Sequence, residues 1–116
     1  MTPVLRRGMP LLLVFAVLLV AGLSPRPVPE FFHQQDKLHH ALGFLAFGWA
    51  LLWAFPRLGF MGLTAVGLLL AGAIEVGQAM WLPARTASLW DALAGLGGVW
   101  LGWACWWLAS RRSAPR

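Results

Sequence analysis

The stretch LGFMGLTAVGLLLAGAIEVGQAMW, residues 58–81, decides the fold. A bilayer core about 30 Å thick takes roughly 20 apolar residues at helical rise, and this run exceeds that with a single charge, Glu75. It has none of the period-2 alternation of a barrel strand, so it reads as a membrane-crossing helix. Three further runs flank it. The first covers about residues 4–23 and stops before Pro25, Pro27 and Pro29. The second covers 38–55 and ends at Pro56-Arg57, and the last covers 89–109, before Arg111-Arg112. The sequence therefore predicts an all-α integral membrane protein, a four-transmembrane-helix bundle forming a single domain over residues 1–116.

Composition agrees. Of 116 residues, 59% are hydrophobic and 11% charged, against about 45–50% and about 25% in soluble domains. Mean hydropathy is +0.70. These values exclude a soluble β-sandwich and a disordered chain. One cysteine, Cys105, allows no intrachain disulfide, and no Cys/His spacing suits zinc. The net charge of +5 does not mark a nucleic-acid binder. Basic residues that grip phosphate backbones cluster on one solvated face, whereas Arg6, Arg7, Arg57, Arg111, Arg112 and Arg116 sit at the edges of apolar runs. Such placement sets topology.

The first run has a rival reading. Arg6-Arg7, a short apolar stretch and the small residues Ala21-Gly22 also suit a secretory signal peptide, although the cleavage region is poor. A retained helix is the expectation. Orientation follows from Lys and Arg in short loops. Placing both termini in the cytoplasm puts those six arginines inside and Arg26, Lys37 and Arg85 outside. The expected location is the cell inner (cytoplasmic) membrane, as a multi-pass protein whose surroundings are the lipid bilayer. Tryptophans support the boundaries: Trp81 and Trp90 flank the outer loop, and Trp53, Trp103, Trp106 and Trp107 lie toward the inner interface.

All four acids (Glu30, Asp36, Glu75 and Asp91), all three histidines, Lys37 and Arg85 then fall on the outer half. At the start of the second helix, Asp36 and Lys37 share a face with His40, while His39 points about 100° away. Asp36 also suits an N-cap. A metal site from His33, His39 and His40 is disfavoured, because adjacent histidines diverge and no ligand spacing supports them. No metal or cofactor is expected.

Glu75 and Gln78 share a face of the third helix. Glu75 lies six residues before Trp81, about 9 Å below the boundary, where a carboxylate must find a partner. Ala71 and Gly67 continue that face and permit close helix approach. Arg85 offers a planar fork for a carboxylate or phosphate, and a buried Glu75–Arg85 pair is the structural alternative. Ser88 and Asp91 have capping-box spacing. Asp91 nonetheless heads a stripe with Ala94, Gly98 and Gly102, beside Gly95, that suits close packing either within the chain or in a homo-oligomer. Asp36, Lys37, His40, Glu75, Gln78, Arg85 and Asp91 are thus expected to line one polar pocket, with Phe44 and Phe47 beneath it.

These residues resemble the VanZ-like family of bacterial membrane proteins. The resemblance rests on Asp36-Lys37-x-x-His40 with Phe44-Leu45 and Gly48, on Glu75-x-x-Gln78, on Pro83-x-Arg85-Thr86-x-Ser88 and Asp91, and on Gly98 and Gly102. It covers about residues 30–102. One departure is Gly95, where the family usually has asparagine. The resemblance implies a cell-envelope role and these pocket residues, not a reaction; the family's link to antibiotic resistance is only the origin of its name. The first functional expectation is a site that binds or modifies an envelope lipid or glycolipid headgroup. Lys37 and Arg85 would hold phosphate, and Glu75, His40 or Asp91 would serve as acid or base. No Ser or Cys nucleophile constellation accompanies them, so whether the protein is an enzyme stays open. The alternative is a structural or accessory membrane protein with a self-satisfied ion-pair network. A proton-linked transporter ranks last, because the inner half has no matching acid or histidine.

Overall fold

The computed structural model describes residues 2–24, 31–32, 35–82 and 88–113, without the side chains of Asp36, Arg112 and Ser113. Four α-helices account for nearly all of it: α1 (Pro3–Leu23), α2 (Gln35–Ala54), α3 (Gly59–Trp81) and α4 (Leu89–Ser113). Three of them, Pro3–Leu23, Gly59–Trp81 and Leu89–Arg111, are long and apolar enough to cross a membrane. The protein is therefore a helical membrane protein. Helix α2 has 20 residues, but Asp36, Lys37, His39 and His40 crowd its first six positions and lower its hydropathy.

Local chemistry sets the helix ends. Thr2 caps α1 by accepting a hydrogen bond from Leu5 N at 3.2 Å, with Pro3 next to it at the position where a missing N–H costs nothing. Helix α2 begins at Gln35, so Asp36 occupies the first turn rather than the N-cap expected from sequence. Gln35 holds that start: its Oε1 accepts from Phe31 N at 2.7 Å and its own N donates to Phe32 O at 3.3 Å. Between α2 and α3 the chain reverses over Phe55–Leu58, and Gly59 follows at φ +78°, a conformation that glycine adopts without strain. Helix α4 runs past the expected Ala109 to Ser113, and within this extension Arg111 lies over the Trp107 ring one turn earlier, 4.7 Å from its centroid.

Around the bundle the helices follow the order α1, α2, α4, α3, with by far the most extensive contact between α2 and α4. The core consists of Phe44, Phe47, Leu51 and Leu52 from α2, Leu63, Leu70, Ala71 and Ile74 from α3, and Val99 from α4. In lipid, apolar side chains gain little by leaving the acyl tails for one another, so helices associate where small residues let backbones approach. That is what the α2–α4 seam shows. A Cβ at Gly98 would fall on the Ala41 carbonyl oxygen, and one at Gly102 would lie 2.7 Å from the Leu45 oxygen. From the other side, a Cβ at Gly48 would approach the Val99 oxygen to 3.1 Å. Of the two uses the sequence leaves open for the Gly98/Gly102 stripe, packing within the chain is the one seen here. Helix α1 is the most peripheral. It docks where Leu18 covers Gly43 and where Gly22 meets Ile74.

The start of α1 and the end of α4 lie at one end of the bundle. The Arg7 guanidinium stands 5.5 Å from the Trp53 ring centroid, Trp53 packs edge-on to Trp106, and Phe60 edge-on to Trp103. This basic, tryptophan-rich end is opposite the end where Lys37, His40, Glu75 and Asp91 meet.

The seam makes a sharp prediction at two adjacent glycines. Gly98→Ala should cost about 1–3 kcal/mol by overpacking. At Gly97 an added Cβ meets nothing within 4 Å, so Gly97→Ala should stay within about 1 kcal/mol of wild type, on the favourable side. Thermal unfolding in one detergent compares the two.

Candidate functional site: a paired-charge cluster between three helices

The seam dictates where the charges meet. Gly98 and Ala41 lie at one level of the parallel α2–α4 pair, as Gly102 and Leu45 do one turn further on. From that level toward the polar end, Lys37 is four residues up α2, about 6 Å, and Asp91 seven residues up α4, about 10 Å. Helical side chains lean toward their own N-terminus, which for both helices is this end, and the lysine stem spans the remaining step. Lys37 Nζ accordingly lies 3.4 Å from Asp91 Oδ1.

His40 stands one turn below Lys37, between two carboxylates. Its Nδ1 is 4.0 Å from Glu75 Oε1 and its Nε2 is 4.0 Å from Asp91 Oδ2. Both distances exceed direct hydrogen-bond length. An imidazolium would present an N–H to each carboxylate; a neutral ring can do so to only one. Burial is graded across the cluster: the Asp91 side chain is 5% exposed, Glu75 12%, His40 13% and Lys37 33%. Lys37 thus marks the opening and Asp91 the floor, with the Phe44 ring packed on Gly95 just below.

The start of α4 contributes a backbone group that sequence reasoning missed. Ser88 caps the helix, its Oγ accepting from Trp90 N at 3.2 Å and Asp91 N at 3.4 Å, as the capping-box spacing led one to expect. In such a box the residue at Asp91's position normally returns the favour by accepting from the cap's own N–H. Here Ser88 N donates instead to Glu75 Oε2 at 2.7 Å. A carboxylate from α3 therefore serves the start of α4, and Asp91 is left to face Lys37 and His40. The pattern Ser88-x-x-Asp91 could reveal the cap but not this exchange, because the acceptor lies 13 residues earlier.

Gln78 does not join the cluster. It is buried, and its Nε2 donates to the Gly22 carbonyl at the end of α1, at 2.7 Å. Its work is to tie α1 to α3 by satisfying one of the orphan carbonyls of a helix C-terminus. Arg85, Glu30, His33 and the Asp36 side chain lie outside the described residues, so the Glu75–Arg85 pairing does too. His39 is exposed, consistent with its divergence from His40.

Could the cluster hold a metal? His40, Glu75 and Asp91 each offer a ligand atom, all within 4.8 Å of one another. This trio differs from the histidine set weighed from sequence, because its members come from three helices. A single ion takes one nitrogen of a ring, however, and here the two nitrogens face different carboxylates, with an ammonium already on Asp91. Charge pairing describes the arrangement better than chelation.

Asymmetric burial of the pair predicts asymmetric mutants. Lys37→Met strands a carboxylate that is almost fully enclosed, and should cost about 1–3 kcal/mol. Asp91→Asn leaves a lysine that can turn to water, and should cost less. In the double variant much of the Lys37→Met penalty should return, read as a coupling energy in a thermal-stability cycle. Gln78→Leu, which strips the buried partner from the Gly22 carbonyl, should cost about 1 kcal/mol and loosen α1, visible as faster proteolysis near Ser24.

No protein-family model matches this chain, and no curated protein or solved structure shows significant similarity to it.

Proposed function

We propose that this chain is a four-span protein of the bacterial inner membrane, with both termini in the cytoplasm and α1 retained. Its polar end opens on the outer face and binds or acts on the headgroup of an envelope lipid or glycolipid. The observation that carries this reading is the meeting of Lys37, His40, Glu75 and Asp91 from three helices at one end of a lipid-embedded bundle. Ionisable groups in such helices are costly, about 2.5–3.5 kcal/mol each near the bilayer centre on insertion scales, and typically mark functional sites. Lys37, at the opening, and Arg85, between α3 and α4 in sequence, are the cations that would take a phosphate. His40 stands between two carboxylates, an arrangement suited to moving a proton to or from a bound headgroup.

A VanZ-like identity is part of the same proposal. It is supported by the residue pattern and by the fact that Lys37, His40, Glu75 and Asp91, which carry much of that pattern, are neighbours in space. At Gly95, where the family usually has asparagine, the Phe44 ring lies against the backbone, 3.1 Å from where a Cβ would stand. An asparagine there would need that ring to move. The amide contributes nothing here, and the four charged or titratable groups remain as the working set.

A structural role is the second reading, and two contacts favour it. The Lys37–Asp91 pair and the Ser88-to-Glu75 hydrogen bond already satisfy the cluster in part. The readings separate on lipid binding. Protein extracted with its native lipids should lose a bound headgroup-specific lipid at least tenfold in Glu75→Gln and in Arg85→Ala, with melting temperatures near wild type. If both variants keep the wild-type lipid complement while melting several degrees lower, the cluster is a structural network and the headgroup site is refuted.

A further inference from the structure

Helix α1 is held to the bundle through its polar half, by the Gln78–Gly22 hydrogen bond and by Leu18 over Gly43. Its basic half touches the bundle through Leu11 on the core and Arg7 over the Trp53 ring. There a groove of about 520 Å³ opens between α1 and the C-terminal end of α2. Val4, Gly8, Leu11 and Leu12 line one wall at the i, i+4, i+7, i+8 spacing of a single helix face, and Ala54 and Phe55 line the other. Every lining residue is apolar except Arg7.

Three observations identify an occupant. The groove runs along α1 from Pro3 to Leu12, about 14 Å at helical rise, close to one leaflet of a 30 Å hydrocarbon core. Its floor is open: a Cβ at Gly8 would meet nothing within 4 Å. One lining residue is basic, Arg7, which rests on the Trp53 ring, and Arg57 follows the lining residue Phe55 by two positions in the chain. No acid competes for these cations, because residues 1–29, 37–74 and 92–116 contain no Asp or Glu.

We infer that this groove binds one acyl chain of an anionic glycerophospholipid, whose phosphate is held by Arg7 and Arg57. The apolar walls take the chain, and the two arginines favour a headgroup with net negative charge over a zwitterionic one. The site lies at the end of the bundle remote from His40, Glu75 and Asp91, so its test reads independently of theirs.

The experiment uses the full chain in nanodiscs of equimolar phosphatidylglycerol and phosphatidylethanolamine, with retained lipid counted by native mass spectrometry after release into detergent. Wild type should keep about one phosphatidylglycerol in preference to phosphatidylethanolamine. Gly8→Phe, which fills the groove from its open floor, should reduce retained lipid about tenfold. Leu12→Trp repeats that test if Gly8→Phe melts lower than wild type. Arg7→Gln should keep the lipid count but reduce the preference about fivefold. Arg111→Gln, at the same end but stacked on Trp107, should change neither. Wild-type retention in the groove-filling variants overturns the proposal. So does an Arg111→Gln effect as large as that of Arg7→Gln, which would mean diffuse attraction rather than a site.

Discussion

The approach of α2 to α4 at Gly98 and Ala41 is the contact on which the rest of the structure depends. Two helices in lipid gain little from merging their apolar surfaces, so their register must come from shape. Here shape means three glycines, Gly48, Gly98 and Gly102, each facing the backbone of the other helix. Backbone-to-backbone contact tolerates no sliding, because any shift drives a side chain into a carbonyl. With that register set, Lys37 can reach Asp91, and His40 arrives between Asp91 and Glu75. The charged cluster is thus a consequence of the apolar seam below it.

Pairing then settles which charged groups can be buried. A helix N-terminus presents unsatisfied N–H groups, and α4 begins at the polar end with Ser88 as its cap. Glu75 takes the Ser88 N–H from the neighbouring helix, so its carboxylate serves both the start of α4 and the imidazole of His40. Asp91, relieved of that duty, meets Lys37. The result is a cluster spanning α2, α3 and α4 in which Lys37 and the Ser88 N–H each meet a carboxylate directly, while His40 stands 4.0 Å from both.

The opposite end solves a different problem. There the arginines have no acids to meet and instead rest on aromatic rings, Arg7 on Trp53 and Arg111 on Trp107. Trp49 and Trp53 each pack edge-on to Trp106, and the Trp100 indole N–H donates to Thr64 Oγ1 at 3.0 Å. Amphipathic rings with a polar edge suit an interface, and the long arginine stems can carry their charge to it. The bundle therefore has one end built from ion pairs and one from cation–π contacts.

How much of this could be read in one dimension follows from the range of the forces. Helix identity and approximate limits are local matters of apolar run length, prolines and caps, so residues 58–81 announced α3 and Ser88 announced the start of α4. Small-residue spacing likewise marked the Gly98/Gly102 face, and the cost of a carboxylate among apolar residues marked Glu75. Partner choice is not local. That Asp91 takes Lys37, that Glu75 accepts from Ser88, and that Gln78 leaves the cluster to hold Gly22 all depend on how helices distant in sequence are rotated and registered. Short-range contacts between residues 13 to 56 apart decide those pairings, and only the packed bundle brings such residues within reach.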